Sequence, residues 1–182
     1  KAETLEIAEA YAAVGVTEIV ALRGDAPKGA ARFTPHPEGF ASSVDLVEAL
    51  ARTGKFNVRV GAYPEAHPDS TGTASDVEFL KRKIDAGARF IQTQFCFDLD
   101  RLQVFLDEAR RRGLHRRAAM LIGVGTLSSA KGLKWMAEHV PGVAVPDALI
   151  ARIAAASDQK AEGRRVCVEA IAAMRRLEGV AG

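Results

Sequence analysis

Two periodicities alternate along this chain, and that alternation limits the folds open to it more than any other feature. Segments with apolar residues at helical spacing are separated by short apolar runs rich in β-branched residues. Leu5, Ala8, Tyr11 and Ala12 predict a helix over the first 15 residues, ended by Gly15. Residues 17–22 then read as a buried strand, stopped by Arg23-Gly24-Asp25. Pro27, Gly29, Pro35, Pro37 and Gly39 make residues 26–40 a long loop. Residues 43–51 are helical through Val44, Leu46, Val47 and Leu50, and 57–63 are a second strand. The spacing predicts a helix over 73–86, with Val77, Leu80 and Ile84 as its apolar stripe and Thr73 with Asp76 as a capping box. A strand over 90–97 follows, then a helix capped by Asp98 or Asp100 and ended at Gly113. The last expected strand is 118–124, and helices are expected over 131–140, 147–156 and 162–177.

Strands alternating with amphipathic helices imply parallel β/α units with right-handed crossovers. The spacing suits either a doubly wound sheet or a (β/α)8 barrel, and four strands are half of such a barrel. No linker divides residues 1–182, so one α/β domain is expected. Lys and Arg total 25 against 23 for Asp and Glu, a balance that gives no nucleic-acid footprint. Cys96 and Cys167 form no CxxC pair or Cys/His cluster, so neither a disulfide framework nor a metal site is expected. With no long apolar span or signal-like start, a cytoplasmic protein without membrane contact is expected. No GxGxxG, GxxxxGK[ST] or GxSxG pattern is present, which removes the main support for a Rossmann site, a P-loop or a hydrolase elbow.

In parallel α/β folds, chemistry gathers where the strands end. The expected strand ends carry Arg23-Gly24-Asp25, Tyr63 to Pro68, Gln92 to Phe95 and Gly125 to Ser128, while the strand interiors are apolar. That pattern suits one ligand pocket assembled from several loops. Asp25 can accept from a polar heterocycle or pair with Arg23. Tyr63 and His67 flank a rigid Pro64 turn that a planar ligand could stack on, though a packed Tyr and a surface His fit equally well. Arg82 and Lys83 suit a pyrophosphate or a solvated helix face. Gln94 has amide geometry for a pterin or nicotinamide edge, or for a structural hydrogen bond. Cys96, Trp135 and Met136 read first as core residues.

The strings Ile19-Val-Ala-Leu-Arg-Gly-Asp25, Ala62-Tyr-Pro-Glu-Ala-His-Pro68, Leu80-Lys-Arg-Lys-Ile-Asp-Ala-Gly-Ala88 and Thr93-Gln-Phe-Cys-Phe-Asp98 together resemble methylenetetrahydrofolate reductase in order and spacing. The resemblance implies a (β/α)8 TIM barrel, of which this chain carries strands four to seven and their helices. It implies FAD as cofactor and NADH or NADPH as hydride source. The reaction it implies is reduction of 5,10-methylenetetrahydrofolate to 5-methyltetrahydrofolate in one-carbon metabolism and methionine biosynthesis, by a ping-pong sequence. Homo-oligomers are also common in such a family.

Carried over by position, Arg23, Gly24 and Asp25 line the flavin, and Asp25 also meets the pterin. Ser43, Tyr63, His67 and Ser70 contact FAD, Asp76 meets its adenosine ribose, and Arg82 and Lys83 lie near its diphosphate. Gln94 hydrogen-bonds the pterin and, in turn, the nicotinamide, making Asp25 and Gln94 the implied catalytic pair. Met136 or Trp135 is expected on the folate-stacking side, Met136 as the substrate contact.

The sequence also departs from the family pattern. It begins within what resembles the helix before the fourth strand, so the family's glutamate acid is expected upstream of Lys1. Phe79 stands where some members carry an asparagine, and residues 123–129 replace the usual turn. The expectation is a piece of a protein of about 300 residues, inactive when taken alone. The alternatives are a family member that binds flavin or folate without reductase activity, or a non-catalytic fragment.

Overall fold

The computed structural model describes residues 1–24, 33–65 and 70–182. The elements run α1 (Ala2–Ala13), β1 (Glu18–Ala21), α2 (Ser43–Arg52), β2 (Asn57–Ala62), α3 (Thr73–Asp85), β3 (Phe90–Phe95), α4 (Leu99–Arg111), a 3-10 turn (Leu114–Arg116), β4 (Ala119–Gly123), α5 (Ala130–His139), α6 (Asp147–Ala155) and α7 (Gln159–Met174). Among the described residues this makes seven α-helices and four strands. All strand pairs are parallel, and the strands lie side by side in chain order, β1-β2-β3-β4.

The pleat divides each strand between two faces. Ile19 and Ala21, Val58, Val60 and Ala62, Ile91, and Met120 share one face through the pairings Ile19↔Val58, Val60↔Ile91 and Ile91↔Met120. These residues pack with Val47 and Leu50 of α2, Val77, Leu80 and Ile84 of α3, and Leu102, Phe105 and Leu106 of α4 in one apolar core. No residue of the opposite face enters that core. There Val20 is 46% exposed, and the Arg59 guanidinium lies 4.5 Å from the Phe90 ring while its Nε donates to Glu18.

Sequential order with a single helix-covered face is the geometry of a barrel arc; a doubly wound sheet reverses its order and covers both faces. The fold is therefore α/β and consistent with part of a TIM barrel, the uncovered face corresponding to the barrel interior. The sheet extends beyond β4, where Ala181 N–H donates to the Met120 carbonyl and Ile122 N–H to the Gly182 carbonyl, both at 2.8 Å. A second cluster, built on Leu127, Leu133, Ile153 and Val166, packs α5, α6 and α7 together.

Several local expectations are corrected. The first strand is not buried: only Ala21 is, because Val20 and Leu22 turn to the uncovered face. Thr73 does not cap α3. The N-cap is Gly72 at φ 139, a conformation that favours glycine, and the capping box forms instead between Ser42 and Asp45 of α2. Strand β3 ends at Phe95, two residues early, because its pairing with β4 shifts between Gln92 and Phe95. At that irregularity the Thr93 hydroxyl accepts from Gly123 N–H. Helix α7 starts at Gln159, capped by the Asp158 carboxylate, and Asp98 caps α4. No helix among the described residues is long and apolar enough to cross a membrane.

Candidate functional site

A cavity of about 480 Å³ opens at the C-terminal ends of β1 and β2, between the first turns of α2 and α3. Strand β1 contributes Ala21 and leads into Leu22 and Arg23, and β2 contributes Gly61 and Ala62 and leads into Tyr63. Ser42 and Ser43 enter from the start of α2, where the capping box fixes the first turn through Ser42 Oγ and the Asp45 carboxylate. Ser43 is buried.

Helix α3 forms the remaining wall because Asp76, Phe79, Leu80 and Lys83 are spaced i, i+3, i+4 and i+7 and so share one face. At its start, the Ser70 and Ser75 hydroxyls lie 2.8 Å apart and within hydrogen-bond reach of the Gly72 carbonyl, and Ser70 Oγ accepts from Gly72 N–H. Among the described residues the lining is largely apolar, with several hydroxyls, one carboxylate and two cations.

Lys83 is the least ordinary of these groups, since it is only 8% exposed. Its Nζ donates to the Gly61 carbonyl at 2.9 Å and lies 4.9 Å from the Phe79 ring centroid. Burial pushes its ammonium down to about 8; Asp76 opposes that shift and Arg23 adds to it. Arg82, one residue earlier, points about 100° away around the helix and is exposed, its guanidinium 5.7 Å from the Phe79 ring and outside the cavity lining. Arg23 stacks 4.8 Å from the Phe33 ring, and Gly24 follows it, exposed. Asp25 and His67 lie outside the described residues.

Gln94 and Met136 do not line this cavity. Gln94 sits at the shifted end of β3, where its side-chain oxygen accepts from Phe95 N–H at 3.0 Å and its Nε2 donates to the Pro141 carbonyl at 3.4 Å. Met136 is half-buried on α5, the helix that leads to Pro141. Trp135, expected in the core, is 57% exposed and stacks on His139 at 5.0 Å, because the buried side of α5 runs through Ala130 and Leu133. Cys96 is in the core as expected, its thiol pushed up to about 12 chiefly by burial.

One residue at the strand ends escaped the sequence reading. Glu65, only 5% exposed, accepts backbone hydrogen bonds from Phe97 and Asp98 on Oε1 and from Ala144 on Oε2. Its one sequence signal is an acid held between Pro64 and the rest of a strand-end string.

The family model described as methylenetetrahydrofolate reductase matches residues 1–179. The chain belongs to the methylenetetrahydrofolate reductase family. It is 37% identical over 164 residues to a 5,10-methylenetetrahydrofolate reductase of Escherichia coli (strain K12), covering 90% of this chain and 52% of that protein. It is 38% identical over 136 residues to the enzyme of the same name from Salmonella typhimurium, covering 75% of this chain and 43% of the relative. An Arabidopsis thaliana methylenetetrahydrofolate reductase (NADH) 1 matches at 37% over 134 residues, covering 68% of this chain and 22% of that longer protein. The chain thus spans about half the length of the Escherichia coli relative.

Proposed function

We propose that the protein carrying this sequence reduces 5,10-methylenetetrahydrofolate to 5-methyltetrahydrofolate with NADH or NADPH, using FAD held in the cavity at the ends of β1 and β2. The observation that carries the reading is the convergence of Arg23, Ser43, Tyr63, Ser70, Asp76 and Lys83 on that one cavity. Its donor set fits a flavin nucleotide. Lys83 and Arg23 supply positive charge for a diphosphate, Asp76 can accept from ribose hydroxyls, and Tyr63 offers an aromatic face. The serines offer hydroxyls for further polar contacts.

When bound, FAD supplies the two-electron relay between the nicotinamide and the folate methylene group. The chain's own residues would bind and orient. Gln94 presents its amide to the pterin and, when the substrates alternate in a ping-pong sequence, to the nicotinamide. Asp25 would contact the flavin and the pterin, and Met136 the folate. Residues 1–182 would make up one α/β domain within the larger barrel, working in the cytoplasm. Among the cations, Lys83 carries more of the diphosphate contact than Arg82, whose side chain is exposed outside the cavity.

Reconstitution tests this reading: the purified full-length protein, stripped of cofactor and dialysed against FAD, is expected to retain flavin. Replacing Lys83 with Met should diminish that retention. A protein that takes up no flavin would overturn the assignment.

A further inference from the structure

The Glu65 carboxylate joins three segments that the fold brings to the same ends of the strands. Glu65 itself lies two residues after Tyr63, in the turn that follows β2. Its Oε1 accepts from Phe97 N–H at 2.8 Å and Asp98 N–H at 2.9 Å, at the turn from β3 into α4. Its Oε2 accepts from Ala144 N–H at 2.6 Å, in the loop between α5 and α6. Three residues before Ala144 in that loop is Pro141, whose carbonyl accepts from Gln94 Nε2. Three residues before Phe97 on the other segment is Gln94 itself.

Burying a carboxylate is costly, and apolar packing would join three loops with less desolvation. What a carboxylate adds is direction: charge-assisted hydrogen bonds are short and geometrically demanding, and here they fix three backbone amides at once. Both segments that hold Gln94, the one that carries it and the one that accepts from its amide, are anchored on Glu65.

We propose that Glu65 is a positioning residue for the reaction: it acts through Gln94 by fixing the Phe97–Asp98 turn and the Pro141–Ala144 loop around the amide. The proposal rests on the reading that Gln94 addresses the pterin and nicotinamide. Glu65 does not line the FAD cavity, so its role is separable from cofactor retention.

The test is a double-mutant cycle in the full-length protein, with Glu65→Gln, Gln94→Ala and both together. In Glu65→Gln one oxygen still accepts from two amides, while an NH2 group replaces the acceptor for the third. The expected result is FAD retained at the parental level and kcat/KM for the folate half-reaction lowered between about ten- and a hundred-fold. In the Gln94→Ala background, adding Glu65→Gln should then cause little further loss.

Losses that multiply independently would make Glu65 a structural clamp only and overturn the proposal, as would unchanged kinetics in Glu65→Gln. Should that variant not fold, Ala144→Pro deletes a single N–H donor from the opposite side and is expected to give the same non-additive loss. If the parent protein neither holds flavin nor oxidises NAD(P)H, the functional reading fails, and this proposal with it. An active parent with additive variants removes this proposal alone.

Discussion

Lys83 Nζ reaches from α3 to the carbonyl of Gly61 in β2, 2.9 Å away, and so places an ammonium in the lining of the cavity. It lies against the open backbone of a glycine strand residue and under an aromatic ring. A buried cation that sits on the Gly61 carbonyl, with its charge favoured by Asp76, suits a ligand that brings negative charge.

That placement has a definite pH signature. The ammonium is held down to about 8 in the folded protein against 10.5 ordinarily, so the folded state binds fewer protons than the unfolded state between those values. The associated destabilisation is fully present below about pH 8 and gone above 10.5. Unfolding free energy of the cofactor-free protein should therefore gain a rising contribution across that window, and Lys83→Met should lack it. Urea titrations at several pH values measure this, and identical slopes in both proteins would exclude it.

The same charge predicts how cofactor is lost. Lys83→Met should weaken FAD retention by about ten- to a hundred-fold, the equivalent of one charged hydrogen bond. Arg82→Met should weaken it much less, because Arg82 lies outside the lining. Flavin fluorescence after graded dialysis ranks the two, and a larger loss from Arg82 would reverse the assignment.

Ser42 tests the wall formed by α2. Its Oγ accepts from Asp45 N–H while Asp45 accepts from Ser42 N–H, so Ser42→Ala should cost about 1 kcal/mol of stability. Denaturant unfolding gives the value directly.

Gly163 tests the packing of the last helix. A Cβ there would stand 1.7 Å from the Leu127 carbonyl oxygen, which belongs to backbone and cannot rotate away. Gly163→Ala should destabilise by about 1–3 kcal/mol or more as α7 is pushed off the loop before α5. An unchanged melting temperature would show that the contact is looser than the structure has it.

Asp25→Asn in the full-length protein should retain FAD yet slow folate reduction far more than NAD(P)H oxidation. Anaerobic measurement of each half-reaction decides it, and equal, unchanged rates would remove Asp25 from the catalytic set.

Much of this fold was legible because its signals are local. The stripe of Val77, Leu80 and Ile84 fixed the buried side of α3, and with it the side on which Asp76 and Lys83 fall. The sequence could not tell a barrel arc from a doubly wound sheet, since both read as alternating strands and helices; strand order and the uncovered face decide between them. For the same reason β1 looked buried, its apolar residues being those of a strand covered on both faces.

The site divided along similar lines. Tyr63 at a strand end and Asp76 and Lys83 on α3 stood out by position, Ser43 and Ser70 were named only through the resemblance, and Arg82, adjacent to Lys83 in sequence, turns elsewhere. Glu65 stayed hidden because its partners are backbone amides 32, 33 and 79 residues away, and amides carry no sequence signal.

The most direct measurement of the central claim is an anaerobic titration of the full-length, flavin-loaded protein, followed by its visible absorption. The account predicts that NADH or NADPH bleaches the flavin bands and that 5,10-methylenetetrahydrofolate then restores them. Flavin that is reduced but not reoxidised by the folate would contradict the reaction. A protein that remains colourless after incubation with FAD would contradict the site.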